Sequence, residues 1–158
     1  MFKYLSLSLL IASTLDASAW TLATGGVADF DGIAGKEIAY ISGSQIRIYY
    51  PKTGATTSFT PVPTSGTWTL LTGGIADFDG IAGAEIAYIS GSTVKIYYPR
   101  TGVTTSFTPV ATSGTWSLLA GGVTDFDGVA GAEIAYISGS TIRIYHPITG
   151  ATTVETPF

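Results

Sequence analysis

Residues 76–86 read Ala76-Asp77-Phe78-Asp79-Gly80-Ile81-Ala82-Gly83-Ala84-Glu85-Ile86, and nearly the same loop stands 48 residues earlier and 48 residues later. Nine of the chain's 11 acidic residues belong to these three loops. They are Asp29, Asp31, Glu37, Asp77, Asp79, Glu85, Asp125, Asp127 and Glu133. Because charged residues make up only 11% of the sequence, this concentration indicates that the loop carries the specific chemistry of the chain, once per copy.

The loops belong to three tandem repeats, each opened by a Trp at position 20, 68 or 116. The spacing predicts repeat 1 over 20–67, repeat 2 over 68–115 and a shortened repeat 3 over 116–158. Repeats 1 and 2 differ at only nine positions. In repeat 3, Val154-Glu155 replaces the Ser106-Phe107 pair, which predicts a polar, solvent-facing end for the array.

Within the second repeat, short β-strands are predicted over 74–78, 85–89, 93–98 and 103–108. Gly91-Ser92 is typical of a tight hairpin turn, and no segment has helical periodicity. Four antiparallel strands per repeat predict an all-β fold of three tandem β-propeller-like blades. A β-trefoil, which also has three repeats of four strands, is the alternative.

The acidic loop resembles the calcium loop of FG-GAP (VCBS) repeats, the blades of integrin-type β-propellers. Asp77 and Asp79 match the first two carboxylates of that loop, and Glu85 stands where its last carboxylate lies. The resemblance covers all three copies, and it implies that the nine acidic loop residues are metal ligands and that calcium is the cofactor. A hard cation needs several oxygens on a sharply turned segment, which suits these residues.

The loop departs from the family at its middle carboxylate, where the three copies carry Ile33, Ile81 and Val129. Two interpretations follow. Calcium binds weakly, with backbone carbonyls and water completing its shell. Alternatively, the loop is metal-free: its first Asp accepts backbone N–H bonds, its Glu pairs with a neighbour, and the apolar residue inserts into the core.

A second set of candidates lies on the third strand of each repeat, where a cation and a Tyr alternate on its polar face. These ligand-binding candidates are Arg47, Tyr49, Lys95, Tyr97, Arg143 and Tyr145. Three equivalent aromatic-plus-cation patches would suit sugar rings and acidic groups. Alternatively, each Tyr packs against the neighbouring blade with the cation lying over it. His146, the single His, is expected to be a packed substitution for Tyr.

The N-terminal 19 residues have the pattern of a cleaved signal peptide. Lys3 provides the positive charge, an apolar stretch follows, and Ala17-Ser18-Ala19 forms a small-residue cleavage site. The stretch is too short to span a bilayer, so we expect no membrane insertion. The absence of Cys means that no disulfide supports the fold. We therefore expect a secreted or cell-surface location, periplasmic or extracellular.

Charge and motifs narrow the function. A net charge of -4 without a Lys/Arg cluster excludes nucleic acid and anionic membrane surfaces as partners. No catalytic triad pattern is present, and triplicate loops argue against one asymmetric active site, so we expect no enzyme. The sequence predicts a non-catalytic module for extracellular binding or adhesion. A carbohydrate-binding lectin and a purely structural, self-assembling protein are the alternatives.

Three blades are fewer than the four to eight with which propellers typically close. The open edges need a cover. Either two chains pair into a six-bladed ring, or the chain is a fragment of a longer array. The expected partners are therefore a second copy of the chain or an extracellular glycan or protein.

Overall fold

The computed structural model describes residues 20–61, 67–111 and 114–156 of the 158-residue chain. The predicted signal peptide over 1–19 lies outside the described residues. Within the described ranges the chain forms 12 β-strands and no helix. These ranges therefore contain no helix that could span a membrane.

The strands form three four-stranded antiparallel sheets, and neighbours in each sheet are neighbours in sequence. The first blade contains β1 (Trp20–Ala28), β2 (Glu37–Ser42), β3 (Gln45–Tyr50) and β4 (Ala55–Phe59). The second contains β5 (Thr69–Ala76), β6 (Glu85–Ser90), β7 (Thr93–Tyr98) and β8 (Val103–Phe107). The third contains β9 (Ser117–Thr124), β10 (Glu133–Ser138), β11 (Thr141–His146) and β12 (Ala151–Glu155).

This arrangement confirms the all-β prediction of three tandem blades, although the sheets do not close into a ring. The β-trefoil alternative is wrong, because each sheet takes all four of its strands from one repeat. The short connections explain this local pairing: turns such as Gly91-Ser92, with Gly91 at a φ of 61°, return the chain directly onto the preceding strand.

The first strand of the second blade is longer than the predicted 74–78 and ends earlier, at Ala76. In the second blade it begins at Thr69 rather than at residue 74, because Thr69 and Leu70 pair with the end of β6. The register shifts between Leu70 and Ile75, around two glycines. A Cβ at Gly74 would lie 2.7 Å from the carbonyl oxygen of Ala87, so only glycine fits the irregularity. Such a bulge interrupts the alternation of apolar and polar residues. The first half of the strand was therefore not predicted from the sequence.

Each blade has two faces, which are named here from the second blade. Its leading face carries Ile86, Tyr88 and Tyr97, and its trailing face carries Val94 and Ile96. The trailing face of one blade packs on the leading face of the next, and this contact forms both hydrophobic clusters of the core. The first strands, β1, β5 and β9, also contact one another in turn.

The middle blade is consequently the best buried. Strand β6 is buried along nearly its full length. The corresponding strand of the first blade, β2, is buried only at Glu37 and Ala39 and half-buried elsewhere. The leading face of the first blade and the trailing face of the third have no neighbouring blade among the described residues.

Candidate metal site in the acidic loops

The acidic loop joins the first strand of each blade to the second. In the middle blade it runs from Asp77 to the start of β6 at Glu85. Phe78, between the two Asp residues, is fully buried in the core between the second and third blades. Because this ring is inserted into the core, the loop packs against the blade. Asp77 and Asp79 then lie together on the polar side of the loop.

Each carboxylate of this loop accepts one backbone N–H bond. Asp77 Oδ1 accepts from Gly80 N at 2.7 Å, and Asp79 Oδ1 accepts from Ile81 N at 2.9 Å. Glu85 Oε2 accepts from Phe78 N at 2.7 Å. The first and third loops make the same three bonds. The repeated carboxylates therefore define the loop conformation, and in every copy the Glu bonds to its own loop.

In the first two loops the carboxylates also converge. One oxygen each from Asp29, Asp31 and Glu37 lies within 4.8 Å of the others, and the equivalent set in the second loop behaves alike. Calcium binds oxygens at 2.3–2.6 Å, so two ligands of one ion stand up to about 5 Å apart. The donor set is all oxygen and carries three carboxylates. These residues therefore fit a calcium ion.

The second loop buries one of its three carboxylates, that of Glu85. Burial raises the pKa of Glu85 to about 7 from its usual 4.5, the Phe78 N–H bond opposes that rise, and the nearby Asp79 and Asp77 charges add to it. The cation of the loop is Arg100, whose Nη2 lies 3.2 Å from Asp79 Oδ2, with both side chains about a quarter exposed. In the first loop Lys52 donates instead to the Ala34 carbonyl.

The third loop differs from the other two. Ile148 stands in place of Lys52 and Arg100, and His146 Nδ1 lies 3.4 Å from Asp127 Oδ2 and 3.9 Å from Glu133 Oε1. The converging set there is Asp127, Glu133 and His146, without Asp125. An imidazole nitrogen is a poor calcium ligand. The first two loops therefore fit a calcium ion better than the third does.

The apolar residue at the middle of each loop does not insert into the core, as the metal-free interpretation had predicted. Ile33, Ile81 and Val129 are 63%, 57% and 58% exposed. The residues that insert into the core are instead Phe30 and Phe78, for which the sequence had predicted no role. The signal was available, because a Phe between two Asp residues alternates with them along an extended chain.

The aromatic-plus-cation patches are brought together only in part. Tyr97 stacks on Phe59 of the preceding blade at 3.7 Å between ring centroids, and Tyr145 stacks on Phe107 at 3.6 Å. Burial raises the pKa of both phenols above the usual 10.0. Tyr49 is instead 37% exposed. The prediction of three equivalent patches is thus corrected: the copies at Tyr97 and Tyr145 lie within blade interfaces, and only the copy with Tyr49 and Arg47 stands on an open face.

The Trp residues differ in the same way. Trp68 and Trp116 contact Tyr88 and Tyr136 edge-on and pack against the core. Trp20 makes the same edge contact with Tyr40 but is 63% exposed. With Ile38 and Tyr49, Trp20 and Tyr40 line a shallow hollow of about 320 Å³.

Comparison with known proteins provides a fold neighbour and no family. No protein family matches the sequence, and no curated protein matches it. Among solved structures, the chain is similar to one in the Tc holotoxin pore of Photorhabdus luminescens, with a TM-score of 0.52 and 15% sequence identity. The match covers 83% of this chain and 7% of that chain. A likeness at this identity concerns the fold alone, and the chain spans only a small part of the larger protein.

Proposed function

We propose that the chain is a secreted or cell-surface, non-catalytic module of the FG-GAP/VCBS type, used for binding or adhesion and holding calcium weakly in its acidic loops. The observation that carries the proposal is the convergence of three carboxylates, in the same way, in the first and second loops. The signal-like residues 1–19 support a location outside the cytoplasm.

The calcium would act structurally, because the first and second loops each contact the next blade. The Asp29 carbonyl accepts a hydrogen bond from Ala84 N at 2.5 Å, and the Asp77 carbonyl accepts one from Ala132 N at 2.6 Å. An ion that fixes the Asp side chains also fixes these carbonyls. Calcium would therefore stiffen the contact between blades rather than take part in a reaction.

Affinity is expected to be about millimolar, the range of extracellular calcium modules. The exposed Ile81 provides no ligand where the family has a carboxylate. One oxygen of each carboxylate is already engaged by a backbone N–H, and Arg100 competes for the second oxygen of Asp79. Ligand number and charge set the affinity of such loops, so each of these features weakens binding.

Calorimetry with the full chain tests the calcium site. We expect heat from two sites at millimolar calcium, assigned to the first and second loops. In the variant Asp29→Asn/Asp77→Asn the amide oxygen keeps the bond to the backbone but loses the charge, so both sites should weaken at least tenfold. Glu155→Gln removes one charge outside the loops and serves as the control. Absence of heat at several millimolar calcium would reject the calcium part of the proposal.

A lectin is the second candidate, favoured by the exposed aromatic residues of the first blade. Trp20 and Tyr49 flank the shallow hollow, and Arg47 lies on the same face. Glycan retention should be lost in Arg47→Ala/Tyr49→Ala while the fold is preserved, since Tyr49 has no blade stacked on it among the described residues. Retention that is unchanged in this variant would exclude the lectin.

A further inference from the structure

The two interfaces between successive blades are formed by equivalent residues. Phe59 stacks on Tyr97 in the first interface, and Phe107 stacks on Tyr145 in the second. The loops also interlock: a Cβ at Gly32 or Gly80 would lie closer than 3.0 Å to the carbonyl oxygen of the next blade's loop. Because the repeats are nearly identical, this is one interface, used between the first and second blades and again between the second and third.

Both halves of that interface recur on the first and third blades, where no partner blade covers them among the described residues. On the trailing face of the third blade, Phe126 is 42% exposed, whereas Phe30 and Phe78 are fully buried. In the part of the chain that the structure describes, nothing lies within 4 Å of a Cβ placed at Gly128. On the leading face of the first blade, Trp20 and Leu22 are 63% and 53% exposed. The trailing face of the third blade therefore carries one half of the interface, and the leading face of the first blade carries the other half.

The residues that break the repeat pattern at these two faces are complementary in charge. Ala84 N bonds to the preceding loop at Asp29, so residue 84 stands beside that acidic loop. Its counterpart in the first blade is Lys36, which is exposed. The loop that Lys36 of a second copy would meet is the third, which has Ile148 in place of its own cation. Lys36 thus provides, from another chain, the charge that this loop lacks.

We propose that two copies of the chain associate head to tail, with the trailing face of each third blade on the leading face of the other copy's first blade. Two such interfaces give a ring of six blades, within the four to eight with which propellers close. The occupant of each open face is thus a second copy, because the chain already contains the matching interface twice. Each contact joins two different surfaces, and a two-fold axis relates the two contacts of the proposed ring.

The new interface is expected to be weaker than the internal ones at one point. Glu155 stands where Phe59 and Phe107 stack on the next blade, because Ile142 pairs with Glu155 as Ile46 pairs with Phe59. In the pair of chains, Glu155 would face Tyr49 of the second copy. A carboxylate there loses the stacking contact. We therefore expect a reversible, concentration-dependent dimer.

Sedimentation of the full chain over a wide concentration range tests the association. The expected result is a monomer that converts to a species of twice the mass, in calcium and in chelator alike, so a failure of calcium binding leaves this proposal standing. Glu155→Phe should lower the dissociation constant at least tenfold, since it restores the internal stacking pair. Lys36→Glu should raise it at least tenfold, because it sets an acid against the third loop. A monomer at all concentrations, or a mass that keeps growing with concentration, would overturn the closed pair.

Cross-linking tests the register. The chain has no Cys, so Tyr49→Cys and Glu155→Cys introduce unique thiols. Mixing these two variants with a short bismaleimide should give a covalent dimer. The matched control pairs Glu155→Cys with Ser92→Cys, an exposed turn of the middle blade. Equal cross-linking of both mixtures would show that the contact is nonspecific and would overturn the assigned interface.

Discussion

Phe59 of the first blade stacks on Tyr97 of the second, with ring centroids 3.7 Å apart and ring planes 18° from parallel. The pair joins the last strand of one blade to the third strand of the next. Aromatic pairs contribute about 0.5–1.5 kcal/mol beyond the area that they bury. The outer strands of neighbouring blades are thereby linked, whereas the first strands contact one another at the inner edge.

Replacing Phe59 by Ala should destabilise the chain by about 2 kcal/mol, since both the stacking and the apolar burial of a half-buried ring are lost. Urea denaturation measures the change. Glu155→Ala is the matched control, because Glu155 holds the same position in the third blade and is exposed. It should change the free energy of unfolding by less than about 0.5 kcal/mol. Equal effects of the two variants would contradict a role for the stack.

Replacing Gly80 by Ala should cost about 3 kcal/mol or more. The residue has a φ of 72°, where an L side chain is strained, and its Cβ would clash with the carbonyl of Ala130. Gly128→Ala provides the control. Gly128 has a nearly equal φ of 77° but no neighbour, so we expect a cost of only about 1 kcal/mol from backbone strain.

The same Gly128→Ala variant reports on association. If two copies pair as proposed, its new Cβ would meet the first loop of the second chain as Gly80 meets the third loop here. The dimer should then be lost in sedimentation although the monomer stays folded. An unaffected dimer would contradict the interface.

The stability of the chain should fall as the pH rises from about 4.5 to about 7. Burial raises the pKa of Glu85 to about 7, so the folded chain binds more protons than the unfolded chain in this window. The contribution of Glu85 is thus full below its unfolded pKa and is lost as the pH passes the folded value. Thermal unfolding of Glu85→Gln, whose neutral amide still accepts the Phe78 N–H, should show a weaker pH dependence. Glu155→Gln should retain the wild-type dependence.

Calcium should raise the melting temperature of the chain most clearly near neutral pH, where it favours the ionised Glu85. A site with a dissociation constant of about 1 mM contributes about 1.4 kcal/mol at 10 mM calcium. Differential scanning calorimetry with and without chelator measures the shift, and magnesium serves as the control ion. A shift that persists in Asp29→Asn/Asp77→Asn would place the effect outside the loops.

The repeat, the strand alternation and the turn glycines were sufficient to predict three four-stranded blades, because neighbouring strands pair through turns that the local sequence encodes. The same local order set the carboxylate spacing that brings Asp77, Asp79 and Glu85 together. The irregular half of β5 was missed, since a bulge around Gly73 and Gly74 breaks the alternation on which strand prediction depends.

What only the tertiary structure decided is which copy of each residue is buried. Tyr49, Tyr97 and Tyr145 have nearly the same sequence context, yet two of them stack beneath a Phe of the preceding blade and one lies open. Phe30 and Phe78 are fully buried because the next blade covers them. Phe126 is exposed because no blade follows the third among the described residues. Sequence determined the fold of a blade through short-range pairing, whereas burial depends on whether another blade follows. That contact between distant residues is a property of the assembled array.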